Sequence, residues 1–502
     1  MNRIDNDLLS VQEARILVEN AREAQKILAT FSQEKLDKIV RHMTEEVHQH
    51  GRELAVMSHK ETGFGIWQDK LVKNAFASEF LYKKIRDMKV VGIISEDKEN
   101  KTMDIGVPVG VIVALPPSTN PASTTIYKTL IAIKSGNAIV FAPHPKAKKT
   151  IGKVLDILIG AAEKSGLPCG AIGYLRTLAV GGTVELMNHK DTSLILVTGV
   201  PKMVRAAYTS GKPTIYGGPG NGPAFIERSA DIKKAVADII VSRTFDNGIV
   251  SASEQAVVAE DCIADEVRQE FRKNGAYFMT GQESEQLGKL FFRPDNSINP
   301  ESVGKSAIEL ARKTGIGVPE GTKVLISEQK YVSSANPYSR EKLCPVLAFY
   351  VEKDWLYACE KCIELLVNEG RGHTLVIHSN NENVIREFAL KKPVSRVLVN
   401  TPATLGGVGA TTNLFPALTL GCGAAGGGAT SDNVSPMNLI NIRKVGYGVR
   451  QLEDITTGVQ VGQVAETSGN DCPVNQRSID SRQDLNELLE KLLKQLTAGQ
   501  KI

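Results

Sequence analysis

Apolar positions recur every three or four residues between positions 9 and 88, as in VQEARILVENAREAQKILATF (11–31) and QEKLDKIVRHMTEEVHQHG (33–51). That period puts one apolar stripe along each helix and predicts a helical N-terminal region. From residue 103 the pattern changes. TMDIGVPVGVIVALPP is β-rich and runs into prolines, and NAIVFAP, AIGYLRTL, SLILVTG and PTIYGG alternate with helical stretches such as AKKTIGKVLDILIGAAEKSG and VPKMVRAAYTSG. Short apolar runs separated by helices predict buried parallel strands joined by right-handed crossovers. A second such series starts at SADIKKAVADIIVSRTF and continues through EQAVVAE, TKVLISE, PVLAFYVE, HTLVIHS and VSRVLVN. The pattern therefore predicts an α/β fold with two α/β domains, over 1–229 and 230–438.

Two β-rich segments, 103–113 and 439–450, fall outside both series and predict an extra sheet that joins subunits of a homo-oligomer. Residues 451–478 are polar and poor in aromatics, which predicts a linker. After it, Ile479, Leu485, Leu488, Leu489, Leu492, Leu493 and Leu496 fall on one face of a helix over 479–498. A lone helix of that length cannot bury its own leucines, so it calls for a partner groove, a coiled-coil mate or a membrane surface, unless it docks on its own core or on another subunit. Its polar face mixes Asp484, Glu487 and Glu490 with Lys491 and Lys494, which argues against an anionic membrane.

Composition narrows the function classes. The chain has 502 residues, 42% apolar and 23% charged, with a formal net charge of +4. That is ordinary for a globular protein and too little charge to indicate nucleic-acid binding. No apolar run reaches the ~18 residues that span a bilayer, and MNRIDNDLLSVQEA is too polar for a signal peptide. The eight histidines show no metal-ligand spacing. Among seven cysteines, only Cys359 and Cys362 are closely paired, within the helical LYACEKCIELL, where packing is the simpler reading than zinc or redox chemistry. Reduced thiols in a cytoplasmic setting are expected.

Several loops then carry candidate chemistry, each with a plainer alternative. In VALPPSTNPAS (113–123) a strand delivers the chain into a proline-rich loop containing Asn120, whose amide could donate to an oxyanion, although Asn-Pro is also a common turn. In NAIVFAPHPKAKK (137–149), Pro143 and His144 follow a strand end, where dinucleotides bind, or simply begin a solvated helix. Thr198 and Gly199 repeat that layout ahead of a helix whose N-terminus suits a pyrophosphate. IYGGPGNGPAFIE (215–227) is glycine-rich around Gly218 and holds no carboxylate between 217 and 223. Glu341, in REKLCPVLAFY, could accept the hydroxyls of a ribose or face solvent.

Taken together and in order, TNP, FAPHPKA, TG, the PGN run, FDNGIVSASEQ (245–255), EKL-x-P, GHT and LGCG resemble the CoA-acylating branch of the aldehyde dehydrogenase superfamily, over roughly residues 10–448. The resemblance is greatest to the aldehyde dehydrogenase half of bifunctional aldehyde–alcohol dehydrogenases, and it extends to succinate semialdehyde and microcompartment-associated acylating enzymes. It implies an NAD(P)-binding first domain and a catalytic second domain with Rossmann-like parallel sheets and an oligomerisation β-extension. It also implies oxidation of a short-chain aldehyde to acyl-CoA through a cysteine thioester. NAD is the implied cofactor, with NADP as the alternative, and coenzyme A is the co-substrate. Asn120 and the backbone N–H of residue 251 would stabilise the oxyanion. Glu341 would hold the nicotinamide ribose, and Pro143, His144, Thr198, Gly199 and Gly218 would line the cofactor path. His373, in GHT, would neighbour the catalytic loop. Hydrolytic relatives carry a glutamate in the glycine-rich segment to activate water, and this chain has none there. The terminal helix resembles encapsulation peptides that address enzymes to microcompartment shells.

The chain departs from that family at the nucleophile. Position 251 is serine where active members have cysteine. No histidine flanks it in sequence, and the SASEQ stretch offers only Glu254, which the resemblance assigns to scaffolding. A serine needs an adjacent base to ionise. Three readings remain open: a deliberate cysteine-to-serine substitution, a non-catalytic paralogue acting as scaffold or compartment cargo, and another cysteine, Cys422 first, serving instead.

Overall fold

A computed structural model of the chain describes residues 5–199 and 201–456. Its main compact unit ends at Gly446. The N-terminal region is helical: α1 (Asn6–Leu28), α2 (Gln33–Gln49), α3 (Gly51–Thr62), α4 (Trp67–Ala75) and α5 (Leu81–Ile85), the last two joined by a π-helical turn. In α1 the buried positions Ala14, Val18, Ala21, Ala24 and Leu28 follow the apolar spacing. Helices α1 and α2 pack their stripes against the first α/β layer, so the early helices and that layer share one core.

The strands are β1 (Gly92–Asp97), β2 (Thr102–Pro108), β3 (Val111–Leu115), β4 (Ala138–Phe141), β5 (Ile172–Tyr174), β6 (Thr192–Thr198), β7 (Thr214–Gly217), β8 (Pro223–Ile226), β9 (Ala256–Glu260), β10 (Ala276–Phe278), β11 (Val324–Glu328), β12 (Val346–Glu352), β13 (Gly372–His378), β14 (Val394–Val399) and β15 (Ile440–Gly446). Five of them form a parallel sheet in the order β5-β4-β3-β6-β7. Its crossovers include α6 (Pro121–Lys134), α7 (Lys148–Lys164), α8 (Val180–Asn188) and α9 (Pro201–Thr209). A seven-stranded parallel sheet follows in the order β10-β11-β12-β9-β8-β13-β14, with α10 (Ile232–Thr244) leading into β9. Strands β3, β4 and β6 are apolar almost throughout because helices cover both faces.

Three boundaries differ from the sequence reading. The third sheet, antiparallel β1-β2-β15, takes only Thr102–Pro108 from the expected 103–113 segment. Gly110, at φ 123°, turns the chain, and Val111–Leu115 joins the five-stranded sheet instead. The hairpin partner β1 is too exposed to show a core-facing alternation. The second sheet begins before residue 230, because β8 already belongs to it. In return, Val408, Ala417, Leu420, Val434 and Leu439 pack into the first core, since the chain comes back to reach β2. A short helix, Leu452–Thr456, opens the expected linker. The remainder of that linker and the helix expected at 479–498 lie outside the described residues.

Cys359 and Cys362 are buried on one face of the helix Trp355–Asn368, and no group of side chains able to hold a metal occurs among the described residues. No described helix is long and apolar enough to cross a membrane.

Because the unit ending at Gly446 carries complete cores of its own, a chain stopped at residue 450 should fold with a melting temperature within about 2 °C of the full chain. Insoluble protein, or a larger drop in a thermal melt, would show that the last residues are part of the folded core.

Candidate active site

The loop between α10 and β9 opens with an unusual turn. Asp246 (φ 50°), Asn247 (φ 52°) and Gly248 (φ 69°) are consecutive left-handed residues. Each non-glycine residue in that region costs about 1 kcal/mol or more, which must be offset locally. Asp246 does so with its whole polar complement. Its carboxylate accepts from Ile66 N (2.6 Å), Lys70 Nζ (3.0 Å) and Lys73 Nζ (2.5 Å), and its backbone N–H donates to Asp69 Oδ2 (2.7 Å). Asn247 Nδ2 donates to Gly304 O (2.9 Å). The turn is thereby fixed to α4 and to the loop before it.

Three residues on, Ser251 lies under the glycine-rich segment. A Cβ on Gly220 would sit 1.7 Å from Ser251 O, so only glycine lets the two backbones approach. Above the hydroxyl stands the histidine of GHT, which the family resemblance places near the catalytic loop. His373, near the start of β13, places Nε2 3.1 Å from Ser251 Oγ. The sequence reading found no histidine flanking Ser251; the fold supplies one from 122 residues away. Burial and the Arg396 guanidinium push this imidazole down to about 3, so it is neutral at physiological pH. Its Nδ1 has no hydrogen-bond partner. A base so weak, with nothing orienting its far nitrogen, leaves Ser251 a neutral hydroxyl. Glu254 is equally unsuited: it is buried, accepts from Ala403 N (2.8 Å) and ties the loop to the segment after β14.

Asn120 occupies the N-cap position of α6 beyond β3, with its side chain directed to other partners. Its Oδ1 accepts from Lys73 Nζ at 2.6 Å and its Nδ2 donates to Thr119 Oγ1 at 3.3 Å. Asn120, Pro143, His144, Thr198, Gly199, Gly218, Ser251 and Glu341 all line one cavity of about 700 Å³. It lies at the carboxyl ends of β3, β4 and β6, where the order of the five-stranded sheet reverses, the place dinucleotides occupy in such folds. The second sheet contributes from the opposite ends of its strands: Ser251 precedes β9, Glu341 precedes β12, and His373 stands behind Ser251.

The cofactor candidates divide by surroundings. Thr198 Oγ1 contacts Thr419 Oγ1 at 3.0 Å. His144 Nδ1 accepts from Lys146 N at 3.1 Å, and burial with nearby Lys146 lowers its basicity. Beside them, Val180, Val184, Met187, Met203 and Ala206, from α8 and α9, give an apolar slot suited to a flat heterocycle. Val200 lies outside the described residues. Glu341 Oε1 accepts from Gly220 N at 2.9 Å. Burial and neighbouring Glu369 push its carboxyl up to about 8. It is the only carboxylate lining the cavity among the described residues. Its second oxygen makes no described hydrogen bond and suits a ribose hydroxyl. These residues fit a nicotinamide dinucleotide.

Cys422 does not line this cavity. Its Sγ lies 2.7 Å from where a Gly218 Cβ would be, it is buried, and burial pushes its thiol up. It opens instead onto a separate cavity of about 660 Å³ beside Tyr208 and Tyr216. That placement suits packing better than nucleophilic attack.

With this geometry in view, comparison with known proteins is direct. The family model described as the aldehyde dehydrogenase family matches residues 7–410. The chain is 43% identical over 441 residues to the bifunctional aldehyde-alcohol dehydrogenase of Escherichia coli, covering 87% of this chain and 49% of that protein. The chain thus spans about half the length of the bifunctional curated relatives it matches. An acetylating aldehyde dehydrogenase from Geobacillus thermoglucosidasius superposes with a TM-score of 0.87 at 45% identity, covering 90% of this chain and 99% of that one. A propionaldehyde dehydrogenase from the Clostridium phytofermentans fucose utilisation bacterial microcompartment superposes with a TM-score of 0.78 at 29% identity, covering 87% and 97%.

Removing the charge that anchors the turn tests the geometry. Asp246→Asn leaves Lys70 and Lys73 buried without their carboxylate and should cost about 3–5 kcal/mol in urea unfolding. An unchanged midpoint would mean that the turn does not depend on this cluster.

Proposed function

We propose that this chain, which belongs to the aldehyde dehydrogenase family, is an acylating aldehyde dehydrogenase framework for the reversible conversion of a short-chain aldehyde, with coenzyme A, to acyl-CoA. The covalent step requires cysteine at position 251, and the serine present there leaves the framework intact but chemically quiet. NAD, or NADP in its place, supplies the hydride acceptor when bound. Asn120 donates to the aldehyde oxygen as it gains charge. Pro143, His144, Thr198, Gly199, Gly218 and Glu341 hold the dinucleotide.

One observation carries the acylating reading. Glu341, the sole carboxylate lining the cavity among the described residues, accepts from the Gly220 N–H and has its carboxyl pushed up to about 8. At neutral pH it is mostly protonated and cannot act as a base on water. His373 is too weakly basic to replace it. A thioester formed at position 251 therefore persists until a thiol arrives. The acetylating relative at 45% identity supports the same choice.

The serine decides what the chain does as it stands. A hydroxyl without a competent base forms no useful covalent adduct, and loss of a nucleophile costs about 10⁴–10⁶ in turnover. The β1-β2-β15 sheet, with Ile93 and Ile442 exposed on it, joins subunits of a homo-oligomer in this reading. The 479–498 helix addresses the enzyme to a microcompartment shell within the cytoplasm. The amphipathic sequence and the microcompartment relative support that address.

Two measurements test these statements. Ser251→Cys should gain aldehyde oxidation that depends on CoA and NAD(P) and is blocked by iodoacetamide, and adding Asn120→Ala should then lower turnover about 10²–10³-fold. Inactivity of Ser251→Cys across a panel of short-chain aldehydes would leave the scaffold role as the better description. Rapid turnover by the serine form would point to another nucleophile. Separately, a fluorescent protein fused to 479–498 should co-localise with a compartment shell; diffuse fluorescence would refute the address.

A further inference from the structure

Position 73 holds a lysine that no recognised motif includes. It lies in α4, reaches the cavity wall and is only 5% exposed. Its ammonium bridges two groups from distant segments, Asn120 Oδ1 at 2.6 Å and Asp246 Oδ2 at 2.5 Å. An ammonium has three donors and no acceptor. The asparagine must therefore turn its oxygen toward Lys73 and its NH₂ away from it. One proton of that NH₂ goes to Thr119 Oγ1, and the other is left for a ligand in the cavity. A neutral donor at position 73 that could also accept would permit both amide orientations, one of which presents oxygen, not N–H, to the cavity.

We propose that Lys73 is a positioning residue for acyl transfer: it fixes the amide of Asn120 with its N–H toward the substrate oxygen and, through Asp246, holds that donor in register with the loop bearing residue 251. This inference rests on the activity proposed above. The charge does more than orient. A cation on the amide oxygen draws electron density from the nitrogen and strengthens the opposite N–H as a donor, as linked hydrogen bonds do in a poorly solvated site. It also places a positive charge one residue away from the developing oxyanion.

Lys70 has a different task. Its ammonium bonds Asp246 Oδ2 and the backbone oxygen of Thr119, and reaches no side-chain atom of Asn120. Asp246 therefore keeps one cation if Lys73 is replaced, and the loop keeps its anchor while the amide loses its guide. The charged groups facing Lys73 are Asp246, Lys70 and Asp69. Burial lowers the Lys73 ammonium to about 8 against the opposing pull of Asp246. The cation is thus complete well below pH 8 and lost progressively as pH rises through it, and donor strength follows in the same direction.

The test uses the full chain carrying Ser251→Cys. Adding Lys73→Met should lower kcat about 10–100-fold, less than outright loss of the donor, while KM for NAD stays within about twofold. Ser251→Cys should lose kcat as pH rises through about 8, and Lys73→Arg, which stays charged, should remove that alkaline limb. Equal turnover by Ser251→Cys with and without Lys73→Met would overturn the role of Lys73 alone, as would an alkaline limb unmoved by Lys73→Arg. Inactivity of Ser251→Cys itself would instead overturn the proposed activity. If Lys73→Met fails to fold, the pH profile of Lys73→Arg decides.

Discussion

The geometry of the site depends on one buried carboxylate. Asp246 is fully buried in a left-handed turn, where an uncompensated charge would be prohibitive. Two lysines from a single helical turn of α4 and one backbone N–H supply the compensation. The same lysines reach Thr119 and Asn120 in the loop between β3 and α6. Three segments distant in sequence thus meet on one ion. Apolar packing could hold those segments together equally well, but it is indifferent to which end of an amide faces inward. A donor-only cation is not.

The pairing of Ser251 with His373 looks at first like a hydrolase dyad, and the electrostatics argue otherwise. An effective imidazole base needs a proton affinity near the working pH and an acceptor on its far nitrogen. His373 has neither, with Arg396 beside it and Nδ1 unpartnered. A thiol at position 251 would tolerate this setting better than a hydroxyl, because its own pKa lies several units closer to neutrality and a modest local field suffices to ionise it. Serine sits in this environment as a neutral hydrogen-bonding group.

Sequence periodicity located both parallel sheets, because strands covered on two faces leave continuous apolar runs between helices. It placed Asn120, Ser251 and Glu341 at strand-adjacent loops, and all three line the cavity. It misjudged 103–113 because two strands of different sheets are separated there by only Val109 and Gly110, too short a break for an apolar pattern to register. Lys73 was not legible at all. On an amphipathic helix a lysine reads as a solvated charge, and its burial depends on Asp246, 173 residues away. The contact between His373 and Ser251 followed only from the family resemblance and not from periodicity, because it spans strands β9 and β13, which are two places apart in the sheet and far apart in the chain.

One peptide group joins the cofactor side of the cavity to the nucleophile side. Gly220 presses against the backbone oxygen of Ser251 at a distance that excludes any Cβ, and its N–H is held by Glu341 Oε1. The Glu341 backbone N–H is in turn held by Glu369 Oε2 at 2.7 Å. A hydroxyl that binds the free oxygen of Glu341 favours its ionised form, which strengthens the bond to Gly220 and so the contact over Ser251. The absence of a side chain at Gly220 follows from this closeness, since any Cβ there would meet the backbone oxygen of Ser251.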